Sequence, residues 1–213
     1  VKAAAFFDLD HTLVIGQSTE RLFVRRLLRE GEIGAPQLIR YLVQFTREPR
    51  LSGGFFRRNK FYLSGKPLRR IQEVAEAAAA EALRRLSPRG RLRLEEHHRA
   101  GRLVGLVTGS LDIVVQPLSR ALPVDIIIAS TMGTEDSHLT GEVLGLYPRG
   151  ENKRTLIREL AAQQGISLEE SYAYGDDWYD LPMLEAVGHP VAVNPHRSLR
   201  KVALERGWPI ESF

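Results

Sequence analysis

The sequence predicts an α/β protein with a parallel sheet and a helical bundle inserted after the first strand. Three observations carry this expectation. Short runs that are apolar at successive positions, as in residues 3–9, 103–107 and 124–129, suit strands covered on both faces. Helical patterns at residues 111–121, 153–164 and 181–187 lie among the later runs, so strand and helix alternate as right-handed crossovers require. Residues 16–87 differ, because they contain no convincing strand.

Taken in order, the first run ends in acid at Asp8-Leu9-Asp10. The insert then opens with residues 19–30, where Leu22, Phe23, Leu27 and Leu28 fall at helical spacing. Residues 36–45 repeat the pattern with Leu38, Ile39, Leu42 and Val43, and residues 49–54 read as a loop. Residues 67–86 form an Ala- and Glu-rich helix, with Pro67 near its first turn and Pro88 beyond its end. This places a helical insert at residues 16–88 and a core at residues 1–15 and 89–213. Residues 131–147 read as a two-stranded excursion that turns at Asp136-Ser137-His138, and residues 172–174 and 190–193 supply two further strands.

The chain has 213 residues, 43% hydrophobic and 26% charged, an ordinary globular composition. It has no Cys, which excludes disulfide frameworks, thiolate nucleophiles and Cys-based zinc sites. Its apolar stretches are too short to span a bilayer, and its N-terminus reads as a strand rather than a leader; a soluble cytoplasmic protein is expected. A net charge of +4, with 25 Arg among 30 cations, invites a nucleic-acid or membrane-surface reading. The surplus has an address, however. Residues 16–88 hold 15 Lys+Arg against 7 Asp+Glu, whereas the remainder holds 15 against 19. A cationic insert beside an anionic core accounts for the charge without a nucleic-acid or membrane partner.

Chemistry is concentrated where strands end. Asp8 and Asp10 follow the first strand, and in an open α/β sheet ligands bind outside the carboxyl ends of strands. Two carboxylates so close either cap a turn or share a cation, and oxygen ligands suit Mg²⁺. Thr108-Gly109-Ser110 follows the second strand and leads toward a helix, where hydroxyls and free N–H groups cradle phosphate or merely cap. Lys153 opens a helix against the macrodipole, as either a solvated or a functional cation. Gly175-Asp176-Asp177-Trp178-Tyr179-Asp180 adds acid at another strand end. His11 reads as a turn residue, and the pair His97-His98, in a charged helical stretch, as solvated.

The motifs Phe6-Phe7-Asp8-Leu9-Asp10-His11-Thr12-Leu13, Leu106-Val107-Thr108-Gly109-Ser110, Lys153, and Gly175-Asp176-Asp177-Trp178-Tyr179-Asp180 resemble, in order, those of haloacid dehalogenase-like phosphatases. The insert resembles the cap of the phosphoserine-phosphatase-like branch. The resemblance implies a Rossmann-like core and a Mg²⁺-dependent phosphomonoester hydrolase acting on a small phosphorylated metabolite. Asp8 would be the nucleophile, forming an aspartyl-phosphate, and Asp10 the general acid and base. Asp8, Asp176 and the Asp10 carbonyl would hold Mg²⁺. Thr108, Gly109 and Lys153 would bind phosphate, and Asp180 would orient Lys153 or a metal-bound water.

Substrate choice is expected in the cap. Phosphoserine phosphatases carry an acidic residue shortly after the first motif; the corresponding position here is the uncharged Gln17, with Glu20 one helical turn further. Arg57, Arg58 and Lys60 favour a leaving group bearing a carboxylate or a second phosphate, or else are solvated helix cations. A phosphotransferase or phosphomutase sharing the aspartyl intermediate is the alternative reading. A basic binding module would leave the four ordered motifs without a reason.

Overall fold

The computed structural model describes residues 2–37, 39, 43 and 58–213. A seven-stranded sheet of order β4-β3-β2-β1-β5-β6-β7 forms its centre. The strands are β1 (Ala4–Phe7), β2 (Leu103–Leu111), β3 (Ile126–Glu135), β4 (His138–Leu144), β5 (Tyr172–Gly175), β6 (His189–Val193) and β7 (Ile210–Glu211). Every neighbouring pair is parallel except β3 and β4. From β1 the chain builds outward through β2 and β3 on one side and later through β5 and β6 on the other. The order therefore reverses at β1, and such a switch point opens a crevice at the strand ends.

Side chains alternate across the sheet and feed two cores. Ala5, Phe7, Leu106, Tyr174 and Val193 face one apolar cluster; Ala4, Phe6, Val107, Ala173 and Ala192 face the other. The first is covered by α3 (Pro88–Arg99) and α4 (Asp112–Ser119), the second by α5 (Glu151–Gln164), the short α6 (Leu181–Leu184) and α7 (Arg197–Glu205). Burial on both faces is why the strands read as continuous apolar runs.

The insert contains α1 (Thr19–Arg29), a 3-10 turn at Phe61–Leu63 and α2 (Leu68–Leu83). Ser18 caps α1 by accepting the Arg21 N–H. Ala75, Ala78, Ala79 and Ala82 give α2 a small, buried face on which α1 and α4 pack closely. Leu22, Phe23 and Leu27 of α1 thereby join the same cluster as the sheet. The two crossings between core and insert lie side by side: Ile15 N–H donates to Arg85 O at 3.0 Å, and Ser87 N–H to Leu13 O at 2.9 Å. The insert also docks on β4, where Lys60 N–H donates to Gly141 O and Gly65 N–H to Leu139 O.

Several elements differ from expectation. The strand at 103–107 continues to Leu111, because β2 resumes pairing with β3 at Ser130 beyond a bulge. The strand at 124–129 and the first arm of the excursion are one element, β3. Asp136 and Ser137 adopt left-handed φ values of 47° and 64°, a two-residue turn matching hairpin twist. Pro88 does not merely follow a helix; with Ser87 as N-cap it opens α3. The reading of His97 as solvated is corrected: it is 4% exposed, and its Nε2 lies 2.8 Å from the Tyr174 hydroxyl. The expected helix at 36–45 falls largely, and the loop at 49–54 entirely, outside the described residues.

Candidate active site

Asp8 follows β1 directly, and its N–H continues the ladder by donating to Tyr174 O at 2.9 Å. The chain then turns through His11, whose φ of 69° and N–H bond to Val14 O match its expected place in a turn. Lys153, in the first turn of α5, is buried, and its Nζ donates to Asp8 Oδ1 at 2.6 Å and Asp180 Oδ1 at 2.7 Å. These two carboxylates explain a cation placed against the helix dipole. Asp180 Oδ2 accepts the N–H groups of Asp176 and Asp177, each at 3.1 Å. The fold-back requires glycine at 175, since a Cβ there would meet Asp180 Cβ at 2.5 Å. Asp177 in turn accepts the Trp178 N–H.

A cavity of about 340 Å³ at the switch point is lined by Asp8, Asp10, Thr108, Gly109, Lys153, Asp176 and Asp180, with Glu20 at its cap side. Thr108 is buried, and its Oγ1 accepts the Ser110 N–H at 3.1 Å. The Asp10 carboxylate turns toward the insert. It accepts Thr19 N–H at 2.6 Å, Thr19 Oγ1–H at 3.1 Å and Ser110 Oγ–H at 2.6 Å. Ser110 belonged to the expected phosphate cradle, not to a contact with Asp10, and Thr19 was not among the candidates expected from sequence. Nor were Tyr147, Arg149, Tyr179 and His196, which also line the cavity.

The cap candidates scatter. Lys60, buried, lies 2.6 Å from Glu20 Oε1. Arg58 is spent on backbone, donating to Val143 O and Gly145 O. Gln17 does not line the cavity, and its Oε1 is buried without a hydrogen bond among the described residues. Arg57 lies outside the described residues. Trp178 is half exposed and stands away from the cavity.

Burial pushes the Asp8 carboxyl well above the usual carboxylate range; Lys153 pulls it back, while Asp180 and Asp176 push it further up. Burial raises Asp176 to about 7, helped by the charges of Asp180 and Asp177. Burial also raises Asp10, against the hydrogen bonds from Ser110 and Thr19. Burial works against the Lys153 ammonium, but Asp180 and Asp8 outweigh it and hold it protonated. Oxygen atoms of Asp8, Asp176 and Asp180 all lie within 4.8 Å of one another. The oxygens of Asp180 are committed to Lys153 and backbone N–H groups, whereas Asp8 Oδ2 and Asp176 Oδ2 accept no hydrogen bond among the described residues. A hard divalent cation fits this donor set, since it would offset carboxylate charge that one lysine leaves unbalanced.

A doubly wound sheet with carboxylates at its switch point, beside a helical insert, defines an α/β protein with an acidic crevice. The chain belongs to the haloacid dehalogenase-like hydrolase family, which it matches over residues 5–185. It is 40% identical to the "Inhibition of morphological differentiation protein" of Streptomyces azureus, over all of this chain and 79% of that one. It is 30% identical to a histidinol-phosphatase of Neisseria meningitidis over the full length of both. A crystal structure of a Bordetella pertussis protein of unknown function aligns with a TM-score of 0.85 and 29% identity, covering 99% of this chain and 98% of that one. A phosphoserine phosphatase carrying a phospho-aspartyl intermediate analogue shares the fold, with a TM-score of 0.65 and 23% identity over 99% of this chain and 93% of that one.

Proposed function

We propose that the protein is a Mg²⁺-dependent phosphomonoesterase acting on a small phosphorylated metabolite through an aspartyl-phosphate on Asp8. The observation that carries this reading is the meeting of Asp8, Asp176 and Lys153 in one cavity beside the Thr108 hydroxyl. Membership of the hydrolase family and the likeness to a histidinol-phosphatase support it further.

In this scheme an oxygen of the Asp8 carboxylate attacks phosphorus in line, and the bond from phosphorus to the leaving oxygen breaks. Asp10 gives that oxygen its proton. Once ionised, it takes a proton from the water that hydrolyses the aspartyl-phosphate and frees inorganic phosphate. The Thr108 hydroxyl, the Gly109 N–H and Lys153 bind the non-bridging oxygens. Asp180 keeps Lys153 extended into the site and ties down the loop carrying Asp176. Asp8 and Asp176, with the Asp10 carbonyl, would hold Mg²⁺, which when bound offsets the charge that sets nucleophile and phosphate apart.

Phosphate release from an aryl phosphate tests the scheme. The protein stripped of divalent cations should be inactive and regain activity with Mg²⁺. Asp8→Asn should abolish turnover; Mg²⁺-dependent activity surviving that change would overturn the nucleophile assignment.

A further inference from the structure

Most charged groups around the cavity are already committed. Lys153 serves Asp8 and Asp180, Glu20 is matched by Lys60, and Asp10 is held by Thr19 and Ser110. Arg149 is different. It lies in the loop between β4 and α5 and lines the cavity, with its Cζ 3.6 Å from the centroid of the Tyr179 ring. Among the described residues its guanidinium forms no ion pair and no hydrogen bond. Stacking on an aromatic face uses the plane of a guanidinium and leaves its edge of N–H donors available.

The loop is fixed rather than loose. Arg149 N–H donates to Tyr147 O at 2.7 Å, Gly150 N–H to Tyr179 O at 3.1 Å, and Asn152 Nδ2 to Tyr147 O at 2.9 Å. A half-buried cation held in this way is a preorganised fork for a carboxylate or phosphate.

We infer that Arg149, supported by Tyr179, binds a second anionic group on the substrate's leaving portion, so that the preferred substrates are phosphomonoesters bearing a carboxylate or another phosphate. The inference rests on the phosphomonoesterase reading above, which already assigns the transferring phosphoryl oxygens to Thr108, Gly109 and Lys153. It moves anion recognition from the cap, where Arg58 and Lys60 are engaged elsewhere, to the core.

The test uses matched esters: phosphoglycolate against ethyl phosphate for the carboxylate, and propane-1,3-diol bisphosphate against its monophosphate for the second phosphate. Arg149→Met should reduce the kcat/KM ratio within at least one pair by about 10- to 100-fold, the range for a charge-assisted hydrogen bond, and Arg149→Lys should recover part of it. The pair that responds identifies the anion. An equal loss on both members of both pairs would overturn the inference and leave the phosphatase reading intact. Calorimetric binding of the same pairs to Asp8→Asn, with and without Arg149→Met, makes the comparison without turnover. There, an affinity ratio insensitive to Arg149 would overturn the inference. Absence of phosphate release from all four esters by the unaltered enzyme would count against the phosphatase reading itself.

Discussion

The Asp10 carboxylate receives hydrogen bonds from both the insert and the sheet, from Thr19 at the start of α1 and Ser110 at the end of β2. Because burial alone raises this carboxyl, those bonds keep it ionisable for the base step of the proposed mechanism. Thr19→Val should therefore lower kcat by about tenfold and move the acidic limb of the kcat–pH profile upward, while Thr19→Ser restores both. A profile unmoved by the valine would mean that Thr19 only packs. His97 makes a second prediction. Burial, with Arg102 and Arg93 nearby, lowers it to about 4. The unfolded chain takes up a proton near pH 6.5 that the folded chain refuses until about pH 4. Stability should thus rise with pH across that window and level off above it, contributing about 2 kcal/mol between about pH 5 and about pH 7. Urea unfolding at the two pH values reads this difference, and His97→Gln should flatten it.

At the level of elements, Gly141 marks where the insert meets the sheet. Its φ is 84°, and a Cβ there would lie 2.8 Å from Phe61 Cα. Gly141→Ala should cost about 1–3 kcal/mol, read as a lowered Tm; an unchanged Tm would show that the 3-10 turn yields without penalty. The sheet itself was legible because its strands are buried on both faces, and the apolar stripe of α1 was legible because Leu22, Phe23 and Leu27 repeat at helical spacing. What escaped depends on partners distant in sequence. Nothing near His97 announces Tyr174, 77 positions away, whose hydroxyl gives the imidazole a buried partner. The end of β2 was misplaced because Ser130, on another strand, decides it. Likewise, the motif residues Asp8, Asp10, Thr108, Lys153 and Asp176 could be found from type and order. Arg149 belongs to an irregular loop with no periodicity, and its place in the cavity wall, stacked on Tyr179, emerges only in the folded chain.

For the molecule as a whole, the division of charge between the cationic residues 16–88 and the acidic remainder predicts electrostatic steering of anionic substrates. kcat/KM for a phosphomonoester should fall as ionic strength rises, and a flat response would remove steering from the account. Some of the insert's charge is spent internally, since Arg70 pairs with Glu30 and Glu32 and Lys60 with Glu20, so its net rather than its total charge carries the effect. The side-by-side crossings at Ile15–Arg85 and Leu13–Ser87 have a consequence for modularity. An insertion whose ends leave the core at adjacent points adds little closure cost to the remainder, so it behaves as a cassette that can be exchanged. A graft is nevertheless not free to carry any sequence. Its first helical residue must bring the hydroxyl and N–H that Thr19 lends to Asp10, and its middle segment, here Lys60 to Lys66, must match the backbone groups of β4. The chemistry of the core thus screens which lids it accepts, while leaving the rest of each lid open to change.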